Sequence, residues 1–509
     1  MHRLLVGIVS LFYLGAGSLP AAAQASVLGR AGELSGHWYD PEFNGQGLTF
    51  EVLENGDGLV FWFTYDNAGN QIWILGQGPM EGNRLEVDAA LITSGGRFDV
   101  PSSQQAAALE TWGSIALDVH DCSNASFEYS GPPDFGQGTR RMVRLSTIDG
   151  RACSDRRPFR LGFTPFPAAV PTADGQALAD AYALLRDNAD LVAHHFDDGI
   201  PWPEALAGGG FESYPADLQA DWAFRRSMSP AGHQVYVAIT PISISRDQLA
   251  PYRGAAPDTP LDQLGPEWAN ADFDSEIVRT AFLNHAVTAI EFFRPDYLAI
   301  GIEVNLLKKL DPERWPAYLD LHRHTWSELR TRYPSLPIFA SITAADMLGG
   351  LTDADVDQQR DALADLEPYM DLIGISFYPF LSSLGTGPVP REIFQQIDQL
   401  STTPKAIVET GLPAQFQSLE IDPGAPPFVI DGTPAAQQEF IRALLTEAQR
   451  YQFRFVVNFI VQDYDALCDA IECLGWQRLW QDTGLWDENG QARPALSVWR
   501  EHLEREVVK

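Results

Sequence analysis

Glutamate closes two apolar runs of this chain, in Tyr297-Leu-Ala-Ile-Gly-Ile-Glu303 and in Lys405-Ala-Ile-Val-Glu409. Short runs of aliphatic residues bounded by polar ones read as strands buried on both faces of a parallel sheet. An acid at the end of such a strand stands at the mouth of the sheet, where α/β enzymes assemble their sites. Two carboxyls at matching strand ends are the parts that glycosidic bond cleavage requires. One attacks the anomeric carbon while the other, kept protonated, gives its proton to the leaving oxygen, with the pair about 5–5.5 Å apart. Lys308 and Lys309 are the cations close enough in sequence to hold Glu303 in a purely structural salt bridge instead.

Other polar and aromatic groups gather at the ends of further predicted strands. His194-His195-Phe-Asp-Asp198, followed by Trp202, offers hydroxyl-binding groups and a ring face, so His195, Asp198 and Trp202 are expected to bind substrate. Tyr378 ends the run Gly374-Ile-Ser-Phe-Tyr378, within reach of Glu409. Beyond Asn458, the residues Phe459, Gln462 and Asp463 are candidates to stack on or bind sugar hydroxyls, with Tyr464 as a second aromatic.

The elements that must carry these residues alternate strand and helix from residue 158 to 509. Eight strands are predicted: Phe159–Phe166, Leu191–Phe196, Gln234–Ile242, Tyr297–Val304, Pro337–Thr343, Leu372–Tyr378, Lys405–Glu409 and Arg454–Val461. Apolar residues at intervals of three and four predict helices between them, among them Ser275–Phe293, Trp315–Tyr333 and Ala435–Tyr451. Eight such units make a (β/α)8 TIM barrel with long loops, placing Glu303 at the end of strand four and Glu409 at the end of strand seven. Residues 30–155 have a different texture, with aromatic and β-branched runs split by turn signals such as Asp66-Asn-Ala-Gly-Asn70. That part is expected to be an all-β, antiparallel accessory domain. Its Trp38, Tyr39, Trp62 and Trp73 are either core or a platform for sugar rings.

Residues 1–25 have the order of a signal peptide: His2 and Arg3, the apolar stretch Leu4–Leu14, then alanines up to Ala25. A secreted or periplasmic protein without a membrane span is expected. An oxidising compartment makes disulfides of the four cysteines, Cys122 with Cys153 and Cys468 with Cys473 on grounds of location. A formal net charge of −33 argues against nucleic acid and anionic membranes as partners. A neutral, β-linked polysaccharide or oligosaccharide fits better. No phosphate loop, nucleophile elbow or complete metal motif occurs, so no metal and no cofactor is expected.

The barrel resembles the clan A retaining glycoside hydrolases, in which the strand-four glutamate is the acid/base and the strand-seven glutamate the nucleophile. The resemblance implies those roles for Glu303 and Glu409, and an orienting hydrogen bond from Tyr378 to Glu409. Within the clan, Ile300-Gly-Ile-Glu-Val-Asn305, Gly374-Ile-Ser-Phe-Tyr-Pro-Phe380 and Val408-Glu-Thr-Gly411 are most similar to the family-53 endo-β-1,4-galactanases. Two departures stand out. Ile302 occupies the place of the asparagine that precedes the acid/base in the clan, and Asn305, on the same side of an extended strand, is the expected substitute. The strand-eight tryptophan is absent, leaving Phe459 or Tyr464. A barrel that binds polysaccharide without cleaving it is the alternative. The N-terminal part, through Ser35-Gly-His-Trp-Tyr-Asp-Pro41 and Phe61-Trp-Phe-Thr-Tyr-Asp66, resembles a β module of secreted bacterial proteins whose function is unknown.

Overall fold

The computed structural model describes residues 31–53, 55–94, 108–148, 153, 156–170, 175–254, 259–421, 424 and 426–508. The expected signal peptide, 1–25, lies outside the described residues. The chain divides after Ile148 into two compact units.

The first unit is an eight-strand antiparallel closed barrel in which each strand pairs with its sequence neighbour and the last, Gln137–Arg144, returns to the first, Gly36–Tyr39. Alternation drives it. In Asp57–Tyr65 the side chains of Val60, Trp62 and Thr64 point inward and are buried, while Phe63 and Tyr65 are exposed. The hairpin after this strand is closed by Asp66, whose Oδ1 accepts from the backbone N–H of Ala68 at 2.9 Å and Asn70 at 2.8 Å. Gly69 supplies the positive φ of 83° that this turn needs. At Gly113 a Cβ would stand 2.0 Å from the Ser130 carbonyl oxygen, so only glycine lets these two strands close beside the register shift at Ala89/Ala90.

The second unit is the parallel eight-strand closed barrel that the strand count predicts. Its strands are Arg160–Phe163, Leu191–Phe196, Gln234–Ile239, Tyr297–Ala299, Ile338–Thr343, Ile373–Phe377, Lys405–Thr410 and Phe455–Asn458, and the first pairs in parallel with the last. Helices Glu276–Phe293, Trp315–Arg332 and Pro434–Arg450 lie within a residue of their expected bounds. Strands one, three and eight end three residues short of their expected bounds, at Phe163, Ile239 and Asn458, and strand four ends five short, at Ala299 rather than Val304. Gly301 explains the early end, since a Cβ there would be 2.6 Å from both the Tyr318 hydroxyl and Val304. The chain leaves the sheet, passes Glu303 at φ 50°, and enters the helix Asn305–Leu310.

All four cysteines are disulfide-bonded, Cys468 to Cys473 among them, and Cys122 and Cys153 are likewise not free. Among the described residues no helix is long and apolar enough to cross a membrane.

Candidate active site

Ser376 is where the two glutamates meet. It lies on strand six in register with Glu409 of strand seven, and its hydroxyl donates to Glu303 Oε1 at 2.7 Å. Glu303 is held from strand five as well, its backbone N–H donating to Ser341 Oγ at 2.9 Å. Its other oxygen accepts from Arg246 Nη2 at 3.2 Å. Arg246 in turn grips both oxygens of Asp197, at 3.0 and 2.7 Å. Five non-glycine residues among the described ones have positive φ, and Arg246 (63°) and Glu303 (50°) are two of them, joined by this ion pair. Backbone strain of that kind costs about 1–3 kcal/mol per residue and persists only where the surroundings impose it.

Glu409 is 6% exposed. One carboxylate oxygen accepts from the Tyr378 hydroxyl at 3.3 Å, and the other lies 3.7 Å from His195 Nδ1. Burial, then the charge of Glu303, push the Glu409 carboxyl well above the usual carboxylate range, against the pull of Arg246 and of the Tyr378 hydroxyl. Burial also lowers the His195 imidazole, favouring its neutral form, despite Asp197 at 4.0 Å. Arg246 is buried at 7% exposure, which works against its charge, yet Asp197 and Glu303 raise it above the ordinary guanidinium range. Its Nε–H is buried with no protein partner. A wall of rings flanks the carboxyls. Phe459 stands edge-on to His195 at 5.5 Å and to Tyr378 at 6.2 Å, and Trp480 packs 5.9 Å from Tyr378.

The structure thus gathers Glu303, Glu409, Tyr378, His195 and Phe459. It places several other candidates elsewhere. Asn305 is fully buried at a helix start, donating to Thr343 Oγ1 and Gln359 Oε1 and accepting from the Thr343 N–H. It is not extended beside Glu303, because the strand ended earlier. Trp202 is also core, packed on Trp268 and donating through Nε1 to the Ala250 carbonyl at 2.9 Å. Asp198 pairs with Arg253, and its neighbour Asp197 faces the site instead. Asp463 is buried against Arg493 and accepts from the Gly484 N–H, so it braces its loop at 1% exposure, away from the two glutamates. Gln462 is half-buried, pairing through its backbone with Trp486. Tyr464 is buried with its hydroxyl on the Gln477 carbonyl. Lys308 and Lys309 pair with Asp365 and with Asp346 and Asp353, not with Glu303.

Sequence reasoning missed Asp197, Arg246, Ser376 and Trp480. Asp197 and Ser376 stand inside the runs His194–Asp198 and Gly374–Tyr378, and Trp480 is one of four tryptophans after strand eight, with Trp476, Trp486 and Trp499; Arg246 left no signal. Among the described residues Asp463, Asp465 and Asp482 bring carboxylate oxygens within 4.8 Å of one another, the one grouping with a donor set suited to a cation.

No protein-family model and no curated protein matches the chain. Among solved structures it is similar to an exo-β-1,4-mannosidase from Opitutaceae bacterium strain TAV5, with 13% identity, TM-score 0.46, and coverage of 68% of this chain and 60% of that one. A GH5_18 protein from Bifidobacterium longum subsp. infantis gives 16% identity, TM-score 0.47, and coverage of 69% and 80%. A fungal β-1,4-galactanase gives 16%, 0.40, and 68% and 94%. The chain therefore spans three fifths of the mannosidase and most of the other two.

Proposed function

We propose that the chain is a glycoside hydrolase cleaving β-linked glycan by a retaining, two-glutamate mechanism. The observation that carries this reading is the convergence of Glu303 and Glu409 on Ser376. One bonds its hydroxyl and the other is its partner on the next strand, a spacing of about 4.8 Å between backbones. Two carboxyls gathered beside one residue suit direct attack, for which the pair must stand about 5–5.5 Å apart. Glu409 attacks the anomeric carbon, oriented by Tyr378, and Glu303 protonates the leaving oxygen and later activates water. Ile302 is fully buried, so it offers nothing to a sugar hydroxyl. The unpartnered Arg246 Nε–H and His195 are the donors that replace the clan's asparagine, and Trp480 with Phe459 supplies the stacking wall. The mechanism calls for no cofactor. Secretion through residues 1–25 and action on a neutral polysaccharide belong to the same proposal.

The test is to incubate β-galactans, β-glucans and β-mannans with the wild type, Glu303→Ala and Glu409→Ala, following reducing ends. Release should fall by about 10³-fold or more in both variants. On an activated aryl β-glycoside of the glycan that is cleaved, whose phenol leaves without an acid, added azide should then rescue phenol release in each. The Glu409→Ala product is expected to be the glycosyl azide of inverted configuration, and the Glu303→Ala product the azide of retained configuration. Exchanged products would swap the two roles. Binding without release by the wild type would establish the silent barrel.

A further inference from the structure

The geometry points to a second carbohydrate site, in the mouth of the N-terminal antiparallel barrel, taking a single neutral sugar ring. At one end of this barrel three loops meet, Asp40–Gln46, Asp66–Asn70 and Gly131–Gly136. Asn67 donates across from the second of these to the Asp134 carbonyl in the third. Beneath them lies a cavity of about 200 Å³. That is below the usual range for drug-sized ligands and suits one ring rather than a length of chain.

Its walls are rings held in fixed positions. Trp62 meets Phe127, Tyr129 and Phe135 at centroid distances of 4.9, 5.1 and 5.6 Å, two of the three edge-on. Trp62 and Phe127, at 7% and 1% exposure, form the floor, and the ring surface left open to the cavity belongs to Tyr65, Tyr129 and Phe135; aromatic surface is what the C–H side of a pyranose covers. Polar groups stand among the rings. The Thr64 hydroxyl donates to Gln46 Oε1 at 2.7 Å, which leaves the Gln46 NH₂ as a donor for a ligand hydroxyl. Arg140, over the Phe43 ring at 3.7 Å, and Asp40 put one charge of each sign at the mouth, which gives neither a cation nor an anion a net advantage over a neutral ligand. A neutral, polyhydroxylated ring satisfies all of these surfaces. The site differs from the exposed outer strip, where Phe63 and Trp73 pack together at 5.7 Å on the solvent face. It is independent of any reading of the parallel barrel.

The test uses the full chain carrying Glu409→Ala, so that the proposed hydrolysis does not consume the probe, with the β-1,4-linked pentaoses of galactose, glucose and mannose, read by hydrogen exchange and by calorimetric titration. Slowed exchange is expected in the segments 40–47 and 129–140 with at least one pentaose. Thr64→Val, which keeps the side-chain shape, and Phe43→Ala should each weaken that binding about tenfold, one lost hydrogen bond or stacking wall. Protection elsewhere in the chain should persist in both variants. No protection of these segments with any of the three sugars overturns the proposal. So does affinity that survives both substitutions and disappears in Trp73→Ala, which would move the site to the outer strip.

Discussion

Tyr378 and Glu409 show how much one hydrogen bond can decide. In the proposed mechanism Glu409 must be ionised to attack, yet burial and Glu303 hold its proton, and the Tyr378 hydroxyl is one of the groups pulling the other way. The acidic limb of kcat/KM is therefore expected above the ordinary carboxylate range, with activity lost as pH falls through it. Removing the hydroxyl raises the carboxyl further. Tyr378→Phe should move the acidic limb to higher pH and lower kcat by about tenfold or more near neutrality, as a pH–rate profile will show; an unmoved limb would refute the link. Glu409, Tyr378 and His195 were legible in the sequence because each ends, or nearly ends, a strand whose apolar run is plain. The pairing of Asp197 with Arg246 was not, because a salt bridge between residues 49 apart has no local pattern. The positive φ of Arg246 is a demand of tertiary structure that an arginine does not advertise.

At the scale of elements, the short strand Tyr297–Ala299 has the largest consequences. Because the chain quits the sheet early, Asn305 becomes the tie between the helix it opens and strand five, through Thr343, and the helix Val356–Leu366, through Gln359. Asn305→Ala strips partners from buried groups on both, a cost of about 2–3 kcal/mol. Chemical denaturation should show that loss, while the activity of the remaining folded enzyme stays close to wild type; a large drop in kcat at full stability would return Asn305 to the site. Strand positions were readable since parallel strands covered on both faces are continuous apolar runs. The ends of those runs were less so. Ile300, Ile302 and Val304 are buried in a turn as fully as they would be in a strand, and hydrophobicity reports burial, not backbone direction. The same ambiguity hid Trp202, whose indole could as well have faced a ligand as a core.

Among the described residues the molecule buries four imidazoles that the proposed chemistry does not use, those of His194, His285, His322 and His502. Burial lowers His194 and His285 to about 3 and His322 to about 4. The folded chain keeps them neutral while the unfolded chain binds protons below about pH 6.5. Their contribution is complete above that pH and is lost as pH falls towards 4, by up to about 1.4 kcal/mol per pH unit for each. Relief of self-repulsion at a net charge of −33 acts in the opposite sense. Burial also pushes the carboxyls of Glu409, Asp463 and Asp482 above their ordinary range, to about 9 for Asp463 and about 6 for Asp482. The folded chain holds protons there that the unfolded chain releases, and these offset the imidazoles. The thermal midpoint is therefore expected to stay level or rise between pH 6.5 and 4.5; a clear drop would show that the imidazoles win. Both large sheets of the chain close on themselves, and a closed sheet has no rim of unpaired amides with which to recruit another chain. The open rims among the described residues belong to Arg156–Arg157 with Glu506–Val507, too short to template a partner, and to the hairpin Phe416–Leu419 with Phe428–Asp431, where Phe416 and Val429 are exposed. Among the described residues, edge-to-edge pairing of intact molecules has one place to begin, and it is that hairpin.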